Sequence, residues 1–374
     1  MKIIIIGGHL SPALSVIEEL ESKNKILFLG RKYTFEADKT ESLEYKIITD
    51  LKIPFSAITT ARLQRKFTKH TVFSLFKFPI GFFQALSILH RFKPDVVLGF
   101  GGYLQIPVVF ASFILNVPVV IHEQTLGAGF SNKISSFFAK KICISWETSQ
   151  KFFPKRKTIL TGNPIRREIV ENSKFQTPNP STIDKKLLLI YVTGGSSGSH
   201  FINILIEGCL KKLLKDFRII HQTGDAKEFD DFNRLNNLRN KLDDNLKAKY
   251  ELRKFISSEN KLLKVYREAQ MAISRAGINT ATELIYMQKP SIVIPIPFSQ
   301  DDEQLNNALY LKEIGLGEVL IQKDAAPEKF LELIYFMAKN INNYKVDKSK
   351  LQEIIKPNAA AEIIKILEHE KKKK

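Results

Sequence analysis

Most residues that could do chemistry sit in three glycine-rich turns. Gly7-Gly8-His9-Leu10-Ser11-Pro12 follows four isoleucines, Gly99-Phe100-Gly101-Gly102-Tyr103 follows Val96-Val97-Leu98, and Gly194-Gly195-Ser196-Ser197-Gly198 follows the apolar run 187–193. Glycine at a strand-to-helix turn lets backbone N–H groups approach an anion, and the positive end of the helix dipole favours a phosphate or a developing negative charge. Ser11 fits the N-cap of the first helix and Pro12 its first helical position. His9 is either a proton carrier or a turn histidine without chemistry, and this motif leaves both open. Neither later turn is a P-loop, since the lysine before a serine or threonine is missing. Neither has the G-x-G-x-x-G spacing and acidic ribose partner of a dinucleotide site.

The second half of the chain adds acids and amides. In the segment 274–284, Asn279 or Thr280 can cap a helix that carries Glu283 in about its first turn. There the helix dipole favours the charge, and a carboxylate can accept two hydrogen bonds from a vicinal diol such as a ribose. A surface glutamate that merely compensates the dipole is the alternative. Glu303 and Gln304 open another helix and suit the reading of sugar hydroxyls, since a carboxylate accepts and an amide both donates and accepts. Asp301, Asp302 and Glu303 are adjacent and cannot all face one ion, so no metal site is expected.

These residues need strands to hold them. Short β-rich runs at 2–6, 26–29, 45–48, 95–98, 117–121, 141–145 and 158–160 alternate with helical stretches. The theme repeats at 187–193, 218–222, 250–255, 271–274, 291–295 and 318–321. That alternation predicts an α/β chain of two doubly wound parallel domains, with a break between 162 and 186. In such sheets ligands lie outside the carboxyl ends of the strands, and two such ends facing one another make a cleft. Beyond Pro327 the pattern is helical, and the amphipathic stretch 358–368 can pack back across the domain junction.

Length and composition agree. At 374 residues the chain is about two to three times a domain of roughly 100–200 residues. Hydrophobic residues at 44% and charged ones at 26% exclude disorder. Two cysteines exclude a disulfide framework or a paired-cysteine metal site, and point to a reducing cytoplasm. The most apolar stretch, 106–121, is broken by Pro107, Asn116 and Pro118 and is shorter than the ~20 residues of a membrane span, so a soluble or peripheral protein is expected. The net charge of +18 predicts attraction to nucleic acid, an anionic membrane or phosphorylated ligands. Part of that excess is local. No acid lies between Asp50 and Asp95, where Lys66 and Lys69 are among eight basic residues and Phe73, Phe76, Phe82 and Phe83 among eight phenylalanines. Basic charge beside aromatic surface suits an anionic membrane interface, and phenylalanines filling the core beneath a helix are the alternative.

Taken in order, these motifs resemble the MurG family over nearly the whole chain. His122-Glu123-Gln124, Asn163-Pro164-Ile165-Arg166 and His221-Gln222-Thr223-Gly224 complete the set. The resemblance implies a GT-B fold, two Rossmann-like domains facing a central cleft, with residues 1–163 the acceptor and membrane side and 164–340 the donor side. A C-terminal helix at about 341–370 would return to the first domain. It implies an inverting transferase that moves N-acetylglucosamine from UDP-N-acetylglucosamine to undecaprenyl-diphosphate-linked muramyl pentapeptide, lipid I to lipid II, at the cytoplasmic face of the cell membrane. No cofactor and no nucleic acid partner are implied.

Carried over by residue, His9 is the candidate base and His122 the second candidate. Gly7, Gly8, Thr125, Arg166, Ser196, Ile256, Ile278, Asn279, Thr280, Ala281, Thr282, Glu283 and Gln304 are the donor-binding set. Gly101, Gly102 and Tyr103 face the acceptor, and Phe73, Phe76, Phe82, Phe83, Lys66 and Lys69 the membrane. Two departures touch the acceptor side: Ile6 precedes Gly7 where the family has a longer glycine-threonine-glycine-glycine-histidine turn, and Thr125 replaces an asparagine. A GT-B transferase with another lipid or glycan acceptor, or a non-catalytic polyanion-binding protein, are the rival readings.

Overall fold

A computed structural model describes residues 1–20, 24–33, 41–59, 77–173, 187–195, 198–226, 228–256 and 259–371. The chain divides into two compact units, Met1–Arg166 with Lys356–Lys374, and Arg167–Ile355. Residues 341–355, counted with the returning helix by sequence, thus lie in the second unit.

In the first unit the order is β1 (Lys2–Ile6), α1 (Leu10–Glu19), β2 (Lys25–Gly30), α2 (Leu43–Asp50), β3 (Phe55–Ala57), α3 (Lys77–Phe92), β4 (Val96–Gly99), α4 (Gln105–Ile114), β5 (Val119–Glu123), α5 (Phe130–Phe138), β6 (Lys141–Ile144) and β7 (Thr158–Leu160). Among the described residues its strands form one parallel sheet in the order β3-β2-β1-β4-β5-β6-β7. Helices cover both faces, so a central strand is apolar throughout. In β1, Ile4 and Ile6 enter one core while Ile3 and Ile5 enter the other.

Two local expectations fail here. Residues 45–48 are helical, not a strand: Ser42 caps α2 by accepting a hydrogen bond from the Tyr45 N–H at 3.1 Å, and the turn it nucleates overrides the β-prone sequence. The third strand is Phe55–Ala57, whose Phe55 ring stacks on Phe28 with centroids 5.9 Å apart. Ser11 is not the cap of α1 either. His9 holds that position with no side-chain cap bond, and the Ser11 carbonyl accepts from the Ser15 hydroxyl within the helix.

The second unit runs α6 (Arg167–Ser173), β8 (Leu188–Thr193), α7 (His200–Asp216), β9 (Phe217–Gln222), α8 (Asp231–Asn240), α9 (Asp244–Ala248), β10 (Tyr250–Arg253), α10 (Glu259–Glu268), β11 (Met271–Ser274), α11 (Ile278–Tyr286), β12 (Ser291–Val293), α12 (Glu303–Glu313), β13 (Gly317–Val319), α13 (Pro327–Lys339) and α14 (Lys348–Ile354). Its sheet is parallel in the order β10-β9-β8-β11-β12-β13. The chain then re-enters the first unit as α15 (Ala359–Glu370), which packs on α1 and buries Ile363 and Leu367 in the core that holds Ile3 and Ile5. Each sheet reverses its strand order once, between β1 and β4 and between β8 and β11, and such switch points are where open α/β sheets bind ligands.

Candidate active site

At the first switch point the turns after β1 and β4 are pressed together. A Cβ on Gly8 would lie 2.4 Å from the Gly101 carbonyl oxygen, and one on Gly102 3.0 Å from the Gly8 Cα. Gly101 and Gly102 have φ of +80° and +75°, a region open to glycine and strained for other residues. The His9 ring lies over Gly101, whose missing Cβ would stand 3.3 Å from His9 Cδ2 and 3.5 Å from Nε2. Burial pushes the His9 imidazole below its ordinary value, and the Glu123 carboxylate opposes that shift.

Glu123 ends β5 and is almost completely buried. Its Oε1 accepts from the Thr125 N–H at 2.9 Å and the Thr125 hydroxyl at 2.7 Å. Its Oε2 accepts from the Gly129 N–H at 2.7 Å and Asn132 Nδ2 at 3.0 Å. The acid therefore sits at the N-terminus of α5, where the dipole favours a negative charge. Asn132 Oδ1 accepts from Gln105 Nε2 at 2.7 Å, and Gln105 Oε1 accepts from the Gly101 N–H at 2.7 Å. One relay of buried bonds thus joins the carboxylate near His9 to the backbone beneath His9. Three N–H groups of the glycine turns at this switch point are taken by internal acceptors, Gly7 by the Leu29 carbonyl, Gly8 by Glu44 and Gly101 by Gln105. Burial raises the Glu44 carboxyl above its ordinary value.

His122 is only 1% exposed, and burial pushes it down to about 4. Its Nε2 lies 3.2 Å from the Gly162 carbonyl oxygen and 3.1 Å from the Ser145 hydroxyl. A carbonyl can only accept, so Nε2 carries the proton and the ring ties β5 to the backbone at Gly162. Tyr103 lies nearby in sequence, under the Arg31 guanidinium at 5.1 Å. Thr125, expected among the donor-binding residues, donates its hydroxyl and N–H to Glu123.

At the second switch point, a Cβ on Gly194 would lie 2.1 Å from the Ser199 nitrogen, so the turn folds onto the N-terminus of α7. Ser199 caps that helix and also accepts from Arg275 Nε at 2.9 Å. Arg275 donates through Nη1 to the carbonyls of Ile294 and Pro295 and lies over Phe201 at 5.6 Å. Burial alone lowers the Arg275 guanidinium to about 10, with no carboxylate beside it among the described residues. Gln222 ties the region together: Nε2 donates to the Gly195 carbonyl at 3.0 Å and Oε1 accepts from the Ile256 N–H at 3.2 Å. Ile256 therefore has its N–H committed internally.

On α11, Gly277 is the N-cap rather than Asn279 or Thr280, because the chain turns into the helix at that glycine. Ile278, Ala281 and Thr282 are buried, Asn279 and Thr280 half-buried. Glu283 lies beyond the first turn, and it is buried rather than a surface charge, accepting from the Tyr266 hydroxyl at 2.9 Å. Gln304 is half-buried, and its Oε1 accepts from the Ile296 N–H at 3.2 Å. Arg166 is half-buried at the end of the first unit's main segment. Ser196, Lys66, Lys69, Phe73 and Phe76 lie outside the described residues. Phe83 is 66% exposed, whereas Phe82 is half-buried against the core. Gln105, Asn132, Glu44, Gln222 and Arg275 had no assigned role in sequence. Gln222 and Arg275 fell inside motifs that the sequence singled out, and Gln105 stood out as an amide opening an apolar helix.

Residues 6–144 match the glycosyltransferase family 28 N-terminal domain, and residues 189–365 match the glycosyltransferase family 28 C-terminal domain. The fold is that of a GT-B glycosyltransferase. A UDP-N-acetylglucosamine–N-acetylmuramyl-(pentapeptide) pyrophosphoryl-undecaprenol N-acetylglucosamine transferase from Geobacter metallireducens is 35% identical over 93% of this chain and 90% of its own. The enzyme of that name from Clostridium kluyveri is 32% identical over 98% of this chain and 99% of its own. The crystal structure of Acinetobacter baumannii MurG superposes with a TM-score of 0.71 at 26% identity, covering 99% of this chain and 100% of that one. A UDP-GlcNAc 2-epimerase from Neisseria meningitidis, at 14% identity and a TM-score of 0.63, shares the fold. The chain belongs to the MurG family of glycosyltransferases.

Proposed function

We propose that the protein transfers N-acetylglucosamine from UDP-N-acetylglucosamine to the undecaprenyl-diphosphate-linked muramyl pentapeptide of peptidoglycan synthesis, with inversion. His9 takes the proton from the acceptor hydroxyl as it attacks the anomeric carbon. The C–O bond to the diphosphate breaks, and UDP leaves with the electron pair. The observation that carries this reading is His9 itself, held over the Gly101–Gly102 turn at a switch point and kept below its ordinary pKa, so that it is neutral and able to accept at neutral pH. His122 is better suited to holding the backbone, because Nε2 donates to Gly162 and the lone pair on Nδ1 is buried away from any substrate surface. On the donor side, Arg275 and the N-terminus of α7 supply fixed positive potential to the leaving diphosphate. Arg166 and Ser196 add to it, Glu283 and Gln304 read ribose and sugar hydroxyls, the Ile256 backbone meets the uracil, and Ile278, Asn279, Thr280, Ala281 and Thr282 line the phosphate and ribose. The test is transfer of labelled sugar from UDP-N-acetylglucosamine to the lipid-linked acceptor; a folded protein that transfers nothing would refute it.

Attachment to the cytoplasmic face of an anionic membrane belongs to the same proposal. No helix among the described residues is long and apolar enough to cross a bilayer. In the first unit Phe83, Phe113 and Phe137 are exposed at 66%, 56% and 76%, and Lys133 and Lys151 both lie over the Phe152 ring. Exposed rings among cations fit an anionic interface. Phe83→Ser with Phe113→Ser is expected to release the protein from anionic vesicles in a sedimentation assay while its thermal midpoint stays within a few degrees. Undiminished binding would remove this surface from the membrane contact.

A further inference from the structure

We propose that the apolar pocket between α3, α4 and α5 holds the isoprene units next to the diphosphate of the acceptor's polyprenyl chain, so that the enzyme grips the lipid itself as well as the bilayer around it. This inference rests on the acceptor proposed above. The pocket is half open, has a volume of about 250 Å³ and is walled by Phe78 of α3 with Ile106, Val109, Phe110, Ile134 and Phe138. Protein interiors leave few voids larger than a water molecule, and an apolar cavity of about 150 Å³ already takes a benzene-sized guest. This one therefore has room for a branched hydrocarbon segment.

Its chemistry selects such a guest. The one polar side chain in the wall, Ser135, uses its hydroxyl to accept from Gln105 Nε2 at 2.9 Å. A phosphate, sugar or peptide would leave its polar groups unpaired there, whereas a hydrocarbon loses nothing. Phe110 forms one side of the opening, 38% exposed, and its ring meets Phe82 and Phe138 with centroids 5.6 Å apart in each case.

The position matches the substrate's own connectivity. Gln105 opens α4 and bonds in two directions, to the Gly101 N–H of the acceptor turn and to Ser135 of the pocket wall. Ile106, the next residue, lines the pocket. A single amide side chain thus separates the turn proposed to face the acceptor from the pocket. A lipid diphosphate carries its hydrocarbon directly on that diphosphate, so the two parts of one substrate meet two adjoining parts of one surface.

Two soluble acceptors, assayed without vesicles, test this: a muramyl peptide diphosphate bearing a short polyprenyl chain, and the same compound with an oligo(ethylene glycol) chain. The wild-type protein should show a KM for the polyprenyl acceptor lower by at least about tenfold, the discrimination a few apolar carbons give in a fitted pocket. Val109→Phe, which fills the pocket, should erase that preference by raising KM for the polyprenyl acceptor alone. KM for UDP-N-acetylglucosamine and kcat with the glycol acceptor should hold. Ile134→Asn, which places an amide in the wall at similar volume, should give the same selective loss. Both variants should sediment with anionic vesicles as the wild type does. Equal KM values for the two acceptors on the wild-type protein would overturn the pocket while leaving the transferase reading intact, as would losses that track vesicle binding. No transfer to either acceptor would overturn the transferase reading and the pocket together.

Discussion

Around the switch between β1 and β4 the polar groups are a half-buried histidine, a buried carboxylate and two buried amides; around that between β8 and β11 they are a half-buried arginine, a capping serine and a glutamine. The two sheets share a strand order, and each sends a glycine turn from its central strand into a helix. Internal acceptors occupy the N–H groups of Gly7, Gly8 and Gly101 at the first switch point and those of Gly195 and Gly198 at the second. Beside the second, the half-buried guanidinium of Arg275 has hydroxyl and carbonyl partners but no carboxylate next to it among the described residues. Both backbones thus supply their own acceptors, and what differs is the side chain beside each turn: a histidine below its ordinary pKa at the first and, among the described residues, a cation with no neighbouring carboxylate at the second. On the function proposed above, the first region would handle the proton and the second the leaving anion.

Exchange of function between the two regions is what would break this comparison. His9→Ala should lower kcat by about 10²–10⁴, the usual contribution of a general base, and leave UDP affinity in titration calorimetry unchanged. An equal loss of UDP affinity would place His9 in the donor site instead. Arg275→Met should do the reverse, weakening UDP binding by about ten- to a hundredfold, as expected for lost charge-assisted bonds, with little effect on KM for the acceptor. A normal UDP affinity in that variant would mean that Arg275 only braces Ser199 and the turn after β12. Glu123→Gln sharpens the first region alone. Since Glu123 raises the His9 pKa against burial, removing its charge should carry the acid limb of kcat/KM to lower pH. A limb that stays in place, or that survives in His9→Gln, would assign it to another group.

The strands and glycine turns were legible because parallel strands are buried on both faces and read as continuous apolar runs, as 2–6 and 188–193 do. Residues 45–48 were not, because the signal for α2 lies in the cap at Ser42 and not in the β-prone residues that follow it. The motif residues of the site were visible as types, but their partners were not. Glu123 meets Asn132, Gln222 meets Ile256 and Tyr266 meets Glu283 through register and helix rotation, which no local spacing encodes. Thr125 shows the cost of this. As a residue beside a recognised motif it reads as a ligand group, and its bond to Glu123 is visible only in the fold.

The smallest expected effect reaches no substrate and separates the two histidines that brace the two regions. His221 donates from Nε2 to Asn203 Oδ1 at 2.9 Å and accepts at Nδ1 from the Tyr250 hydroxyl at 2.9 Å, so its surroundings fix the neutral ring. Burial pushes His221 down to about 3 and His122 down to about 4. An unfolded histidine takes up its proton near pH 6.5, while the folded ones remain neutral far below it. As pH falls from about 6.5 toward 4 the unfolded chain binds more protons at both positions, and stability drops by up to about 1.4 kcal/mol per pH unit for each histidine. Thermal midpoints between pH 7 and 5 should therefore decline in the wild type. His221→Gln, although less stable at pH 7, should decline less steeply, because its side chain no longer titrates. The same slope in both proteins would mean that carboxylates elsewhere dominate the acid response and that the His221 network is pH-neutral.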